Sequence, residues 1–173
     1  MIAPTLLTER LILTGGNVAR FDDQAALFAD PRTTAFMQSG PQARDEAWRR
    51  FCQASGMWAL LGYGYWTVLE RASGSVVGTA GFGRFERGIA ELADAPEAGW
   101  AFGPDQWGRG YATETMTAAL AWADERLNVR EIRCFIAADN LASIRVAEKC
   151  GFEQFAERVA ERGCDLFFRR RTR

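Results

Sequence analysis

Trp107, Gly108, Arg109, Gly110, Tyr111, Ala112, Thr113 and Glu114 follow one another between an apolar stretch ending near Phe102 and a helical pattern starting near Thr113. Glycines two positions apart let the backbone turn sharply and come close to a ligand. A helix that starts directly afterwards presents unpaired N–H groups and the positive end of its dipole. Capture of a phosphate or pyrophosphate is the chemistry such a turn suits, and a plain strand-to-helix turn is its structural use. Two nucleotide motifs are excluded. A dinucleotide fingerprint needs a glycine five positions after its first, where Gly108 meets Thr113, Gly81 meets Glu86 and Gly62 meets Thr67. A P-loop needs lysine before Ser or Thr, and the sole lysine, Lys149, precedes Cys150.

The 173 residues include no histidine. Nucleophile pairs built on imidazole, His-bearing zinc sites and an imidazole base near neutral pH are thereby excluded. A general base must be a carboxylate, a tyrosine, a thiol, an amine or water. Cys52, Cys134, Cys150 and Cys164 form no CxxC pair, so neither a metal nor a redox motif is supported, and buried, reduced thiols are expected. The formal charge is −1, which favours neither nucleic acid nor an acidic membrane as partner. Arg169, Arg170, Arg171 and Arg173 read as a solvated basic chain end. Without a basic segment followed by an apolar run at the N-terminus, and with Phe51–Leu69 interrupted by Gln53, Ser55, Gly56, Gly62 and Gly64, a cytoplasmic protein is expected.

The elements that must position these residues are read from periodicity. Arg10–Leu13 predicts an opening strand, closed by Gly15 and Gly16. Phe21–Ala29 and Asp45–Leu61 carry helical spacing, and Tyr65–Glu70 with Ser75–Phe85 reads as a hairpin around Ala72, Ser73 and Gly74. Glu97–Phe102 is a further strand, stopped by Gly103 and Pro104. Met116, Leu120, Ala123 and Leu127 recur at helical spacing and give Thr113–Leu127 one buried face. Ile132, Cys134 and Ile136 alternate as a strand, Leu141–Cys150 is a helix capped by a left-handed Gly151, and Leu166–Phe168 closes the pattern as a strand. No long linker divides the chain, so residues 1–173 are expected to form a single α/β domain, a mixed sheet with helices on both faces.

Thirty residues after Gly110, Asn140 stands at a strand end and is followed by Ser143, Val146, Glu148, Lys149, Gly151 and Phe152. With the Trp107–Glu114 turn, this segment resembles the GNAT N-acetyltransferase superfamily, and within it the RimJ/RimL-like branch of ribosomal-protein-alanine N-acetyltransferases. The likeness extends to Leu7-Thr8-Glu9-Arg10-Leu11, Asp30-Pro31, Gly62 to Val68, Val77-Gly78 with Gly81, and Glu97 with Gly99-Trp100 ahead of Pro104.

The resemblance implies a splayed sheet in which the strand before the glycine turn parts from the strand after its helix, with the pantetheine arm of acetyl-CoA between them. Trp107, Gly108, Arg109, Gly110, Tyr111, Ala112 and Thr113 would form the pyrophosphate site. Trp100, Ala101 and Phe102 would offer backbone groups to the pantetheine and the thioester carbonyl, one of them as oxyanion donor, and Asn140 would hold the pantetheine or carbonyl from across the gap. The tyrosine that many members use as general acid is replaced by Ala147, and Ser143 is the candidate acid, or else a hydroxyl at the helix N-terminus. Glu97 is the candidate base or a positioning residue, and Glu91 and Asp94 are the other carboxylates considered. Strand alternation places Glu97, Gly99 and Ala101 on one face and Ala98, Trp100 and Phe102 on the other, without saying which faces the acceptor. Trp48, Trp58, Tyr63, Tyr65, Trp66 and Phe82 line an acceptor pocket or fill the core, and Glu86, Glu91, Asp94 and Glu97 suggest an acidic rim.

The implied activity is transfer of acetyl from acetyl-CoA to a primary amine, a small molecule or a protein N-terminus, by direct attack in a ternary complex. No metal, nucleic acid or membrane is implied, and the protein would be a monomer or homodimer. A GNAT-fold module that binds acyl-CoA without turnover is the alternative.

Overall fold

The structure is a computed structural model describing residues 2–160 and 163–172. Eight strands form one mixed sheet: β1 (Leu6–Leu7), β2 (Leu11–Thr14), β3 (Tyr65–Glu70), β4 (Val76–Gly83), β5 (Glu97–Phe102), β6 (Glu131–Ala137), β7 (Glu153–Ala160) and β8 (Gly163–Arg171). Four helices accompany them: α1 (Phe21–Ala29), α2 (Arg44–Leu61), α3 (Tyr111–Arg126) and α4 (Leu141–Lys149). The order across the sheet is β1-β2-β3-β4-β5-β6-β8-β7. β1 to β5 are antiparallel neighbours, β5 and β6 run parallel, and β6, β8 and β7 are antiparallel again.

Alternation assigns the faces. Cross-strand partners Tyr65, Gly81 and Gly99 share one face with Thr67, Thr79 and Glu97. That face carries α1 and α2, as the hydrogen bond from Gln24 to Thr67 shows. Phe21 and Ala25 of α1 pack with Ala47 and Phe51 of α2 in a small cluster of their own. The opposite face holds the main core, where Trp66, Val68, Ala80, Phe82, Ala98, Phe102, Ile132 and Cys134 meet Met116, Ala119, Leu120 and Ala123 of α3 and Ala147 of α4. Burying such side chains contributes about 1.5–3 kcal/mol each, which is why the 3.6-residue stripe of α3 was readable. Trp58, Trp66 and Phe82 belong to this core, with Trp58 packed edge-on against Trp66 at 4.6 Å.

Several expectations need correction. Leu6–Leu7 is a two-residue strand that periodicity cannot detect. Glu153–Ala160 is an edge strand whose polar composition hid it, and the closing strand is nine residues long rather than three. The arginines expected to be a solvated tail are integral to the sheet: Arg169, Arg170 and Arg171 pair in register with Arg133, Ile132 and Glu131. Arg170 is almost buried and bonds both oxygens of Asp124, at 2.8 and 2.7 Å. Arg173 lies outside the described residues. Of the thiols expected to be buried, only Cys134 is; Cys52 is exposed, and Cys150 and Cys164 are half-buried. Gly151 adopts the left-handed conformation expected after α4, with φ 81°.

Candidate active site

β5 and β6 are joined at one residue pair, Glu97↔Arg133, where the Arg133 N–H donates to the Pro96 carbonyl at 3.0 Å. Beyond it the two strands part. The Gly103 N–H donates to the Val77 carbonyl at 3.1 Å, so Phe102 and Gly78 face each other as a pair without direct bonds between them. Antiparallel alternation then turns the backbone groups of Gly99 and Ala101 towards β4 and those of Trp100 and Phe102 towards the opening. Trp100 and Phe102, rather than Ala101, therefore present backbone donors there. The Phe102 carbonyl already accepts the Trp107 indole N–H at 2.8 Å.

Because β5 and β6 are parallel, their C-terminal ends and the helices that follow lie at the same edge of the sheet. Ligands of open α/β sheets bind at such an edge. From β5 the chain passes through a single helical turn at Pro104–Gln106 into Trp107 and the glycines. Gly108 and Gly110 have φ of 73° and 79°, a region costly for side chains other than glycine. Glu114 makes the first bond of α3, donating its N–H to the Gly110 carbonyl at 3.0 Å. The amides of Gly108, Arg109, Gly110, Tyr111, Ala112 and Thr113 thus have no acceptor among the described residues. A row of unpaired N–H groups at a helix N-terminus fits an anion such as a pyrophosphate.

The turn is braced from beneath. Tyr111 is 3% exposed and donates its hydroxyl to Glu70 at 2.6 Å, and Arg109 pairs with the same Glu70 oxygen at 2.9 Å. Arg10 and Arg109 stack on the Tyr111 ring at 4.8 and 4.5 Å from its centre, and Arg10 also donates to the Arg109 carbonyl at 2.9 Å. The Glu114 carboxylate accepts from the Thr8 hydroxyl at 2.5 Å, the Arg10 amide at 2.9 Å and the Arg10 Nε at 2.7 Å. The fragment Thr8-Glu9-Arg10 thereby acquires a physical reason: it locks the first turn of α3.

Burial works to raise the Glu114 pKa, but the bonds from Thr8 and Arg10 outweigh it and hold the carboxyl below its ordinary value. A depressed carboxyl contributes stability that is present above its unfolded value and lost as pH falls through its folded one. Glu114→Gln is expected to cost about 1–2 kcal/mol at pH 7. Urea unfolding repeated down to pH 3 should show this difference shrinking below about pH 4. A pH-independent difference would mean that the charge of Glu114 is irrelevant to the brace.

Across the opening, Asn140 is the N-cap of α4, its Oδ1 accepting the Ser143 N–H at 3.1 Å. The Asn140 side-chain nitrogen, Nδ2, and the half-buried Ser143 hydroxyl make no hydrogen bond among the described residues. Ala147 is wholly buried under the core. Cys134 is equally buried, and burial, with Glu97 second, pushes its thiol well above the ordinary value, so it stays protonated.

On the α1–α2 face the residue at the apex of the opening is Glu97, 7% exposed. Both its oxygens are taken by Arg87, Nε to Oε2 at 3.0 Å and Nη2 to Oε1 at 3.1 Å. Arg87 in turn lies over the rings of Phe85 and Phe135, at 4.5 and 5.5 Å. Glu91 and Asp94 sit in the loop before β5, which Arg133 ties down through the Glu91 and Ala93 carbonyls, both at 3.1 Å. They are at the opposite end of β5 from the glycine turn. Tyr65 reaches across to β5: a Cβ placed on Gly99 would stand 2.4 Å from its hydroxyl oxygen, so any side chain there would have to displace the phenol. Burial, then Glu97, raises the Tyr65 pKa well above its ordinary value against the pull of Arg50 and Arg87, so the phenol keeps its proton. Sequence reasoning named Tyr65 only among several aromatics and did not single out Arg50 or Arg87, whose importance comes from contacts distant in the chain.

A cleft of about 580 Å³ opens between α2 and the 84–87 loop, lined by Gln42, Glu46, Arg49, Arg50, Gln53, Phe85 and Arg87. The acidic rim suggested by Glu86, Glu91, Asp94 and Glu97 does not form around it. Glu86 pairs with Arg84 at 2.5 Å, Glu97 is covered by Arg87, and the charged lining side chains are three arginines and one glutamate. Among the described residues no group of histidines, cysteines and carboxylates is arranged to hold a metal, and no helix is long and apolar enough to cross a membrane.

Residues 10–153 match the model of the acetyltransferase (GNAT) domain family. The chain is 26% identical over 153 residues to the N-acetyltransferase p20 of Bacillus licheniformis, itself uncharacterized, covering 87% of this chain and 83% of that one. Its fold superposes with TM-score 0.86 on a GNAT-family acetyltransferase of Bordetella pertussis, at 33% identity over 97% of this chain and 99% of the other. It superposes with TM-score 0.78 on the Vibrio cholerae spermidine N-acetyltransferase solved with CoA and spermine, over 95% and 97% of the two chains, where 16% identity makes the likeness one of fold. The overall fold is thus shared with these two solved structures, and the chain belongs to the GNAT acetyltransferase family.

Proposed function

We propose that this acetyltransferase moves the acetyl group of acetyl-CoA to a primary amine by direct attack in a ternary complex. The observation that carries the reading is the run of six acceptor-free amides, Gly108 to Thr113, beside an opening onto which the Trp100 backbone groups and the Phe102 N–H face. In this reading the amides hold the pyrophosphate and the Trp100 and Phe102 backbone holds the pantetheine arm. One of their N–H groups donates to the thioester oxygen as negative charge develops there, a contact worth ~10²-fold or more in rate. The Asn140 amide nitrogen supports the arm from the α4 side. Ala101, bonded into β4, serves through its small side chain.

The acceptor enters from the α1–α2 face, where Tyr65, Gly99 and Glu97 meet. Glu97 is a positioning residue: both its oxygens are occupied by Arg87, and its role is to fix that guanidinium. The amine loses its proton to water, so the rate rises with pH until the acceptor is neutral. Tyr65 supplies a protonated hydroxyl at the apex. Ser143, at the first turn of α4, donates a proton or hydrogen bond to the departing thiolate. The RimJ/RimL-like assignment rests on the Trp107–Glu114 and Asn140–Phe152 motifs.

Acetyl-CoA at a hundred times its Kd is expected to stabilise the protein by ~2.7 kcal/mol in a thermal melt. Thiol release is then followed with a panel of amines and N-terminal peptides. Ser143→Ala is expected to lower kcat by about 10-fold or more with the acetyl-CoA melt unchanged. A melt indifferent to acetyl-CoA refutes the CoA reading, and release at the background rate across the panel leaves a binding module.

A further inference from the structure

Arg50 is the one cation of the cleft without a carboxylate. Arg49 pairs with Asp45 at 2.9 Å and Arg87 with Glu97 at 3.0 Å, whereas Arg50 forms no ion pair among the described residues. Its only hydrogen bond there is from Nε to the neutral Gln42 Oε1, at 3.1 Å, and its guanidinium stacks on Phe28 at 4.7 Å. Glu46, one turn earlier on α2, is turned away to accept the Ala43 N–H at 2.9 Å. Arg50 is half-buried, and burial together with the nearby charge of Arg87 holds its pKa below the ordinary arginine value, Tyr65 pulling the other way. An arginine keeps its charge in any such setting. A desolvated cation close to a second one gains strongly from an anion that satisfies its free N–H groups, and the planar fork of a guanidinium matches a carboxylate.

The cleft that exposes these N–H groups is continuous in chemistry with the reaction centre. The Tyr65 hydroxyl, which touches β5 at Gly99, lies within electrostatic reach of Glu97, Arg50 and Arg87. An acceptor whose amine stands at Gly99 therefore extends its other end towards Arg50. From this arrangement we infer that the acceptor is an amine that also bears a carboxylate, held by Arg50 with Arg87 at its side, and not a polyamine. The inference rests on the amine-acceptor reading above and adds the class of acceptor. Gln42 fixes the Arg50 fork through Nε, leaving Nη1 and Nη2 for the carboxylate, and Phe85 closes the apolar wall alongside.

The test compares amines of matched length: β-alanine and 4-aminobutyrate against propylamine, butylamine and putrescine, with peptides beginning Ala-Asp and Ala-Lys to distinguish a free amino acid from an acidic N-terminus. Thiol release gives kcat/KM for wild type, Arg50→Gln and Arg50→Lys, each first shown by its melt to be folded and to bind acetyl-CoA. A preference for the carboxylate-bearing amines of about 10-fold or more, seated in KM, is expected, because a charge-assisted bidentate contact is of that size. Arg50→Gln should abolish the preference by raising KM for the carboxylate-bearing amines to that of the neutral ones, and Arg50→Lys should restore part of it. Putrescine or Ala-Lys favoured over the anionic members, or a preference indifferent to Arg50→Gln, would overturn the inference. Calorimetry with β-alanine and propylamine on the CoA-saturated protein separates the two readings. Arg50-dependent binding of β-alanine without turnover of any amine removes the amine-acceptor reading and keeps the anion site, and β-alanine that binds no better than propylamine removes the anion site.

Discussion

Gly108→Asp is expected to give a folded protein that has lost acetyl-CoA. A Cβ at Gly108 meets nothing within 4 Å, and among non-glycine residues Asp and Asn tolerate a φ of 73° best. Folding is therefore spared. The new carboxylate stands among the six acceptor-free amides and faces the pyrophosphate with like charge. At about 4–6 Å and an effective dielectric near 20, one such pair costs roughly 3–4 kcal/mol, a Kd raised by about 10²- to 10³-fold. Gly108→Asn, the same shape without charge, should retain most of the affinity. Calorimetric titration at two ionic strengths completes the measurement, since salt should recover part of the loss in Gly108→Asp. Equal losses in Asp and Asn would show that the site is sensitive to bulk and not to charge, contrary to an anion held at this turn.

The second large effect is an asymmetry between the partners of the Arg87–Glu97 pair. Glu97 is nearly buried, its side chain 10% exposed against 36% for Arg87. Arg87→Met strands a carboxylate in the sheet, and removing one partner of a buried pair costs about 3 kcal/mol or more. Glu97→Gln leaves the more exposed Arg87 to be solvated by the cleft and is expected to cost about 1 kcal/mol. The double variant should be more stable than Arg87→Met alone. Urea unfolding of the two single variants and the double variant measures the asymmetry. Equal deficits for the two single variants, or a double variant no more stable than Arg87→Met, would place the pair outside the buried regime.

Local patterns in the chain announce local structure, and the Arg87–Glu97 pair lies beyond them. The glycine turn was legible because everything it needs is contiguous: φ-permissive residues, a helix start and no side chain in the way. Met116, Leu120 and Ala123 betrayed α3 by the same logic. β7 was hidden because an edge strand with one neighbour keeps polar side chains such as Glu153, Glu157 and Arg158. The arginines of β8 imitated a solvated tail because their partners, Asp124 for Arg170 and the Phe155 ring for Arg169, are remote in sequence. Arg50 and Arg87 were silent for that reason too. A cation's significance depends on which carboxylate reaches it, and spacing along α2 does not say that Glu46 turns back to Ala43. Glu97 was legible as a candidate and not as a role, because alternation fixes that it shares a face with Gly99 but not that Arg87 covers it.

The position of β8 between β6 and β7 bears on how the chain is made. β6 emerges from the ribosome well before β8, the strand that covers its outer edge, and β7 emerges with no partner at all. Until residues 163–171 are free to pair, the nascent sheet ends at β6 with open backbone groups and without Phe167 and Phe168, both buried in the finished sheet. Unpaired strand edges of this kind are where growing chains associate with one another. During that interval the charge on the open edges comes from Arg133 of β6 and from Glu153, Glu157 and Arg158 of β7, before β8 brings its own arginines.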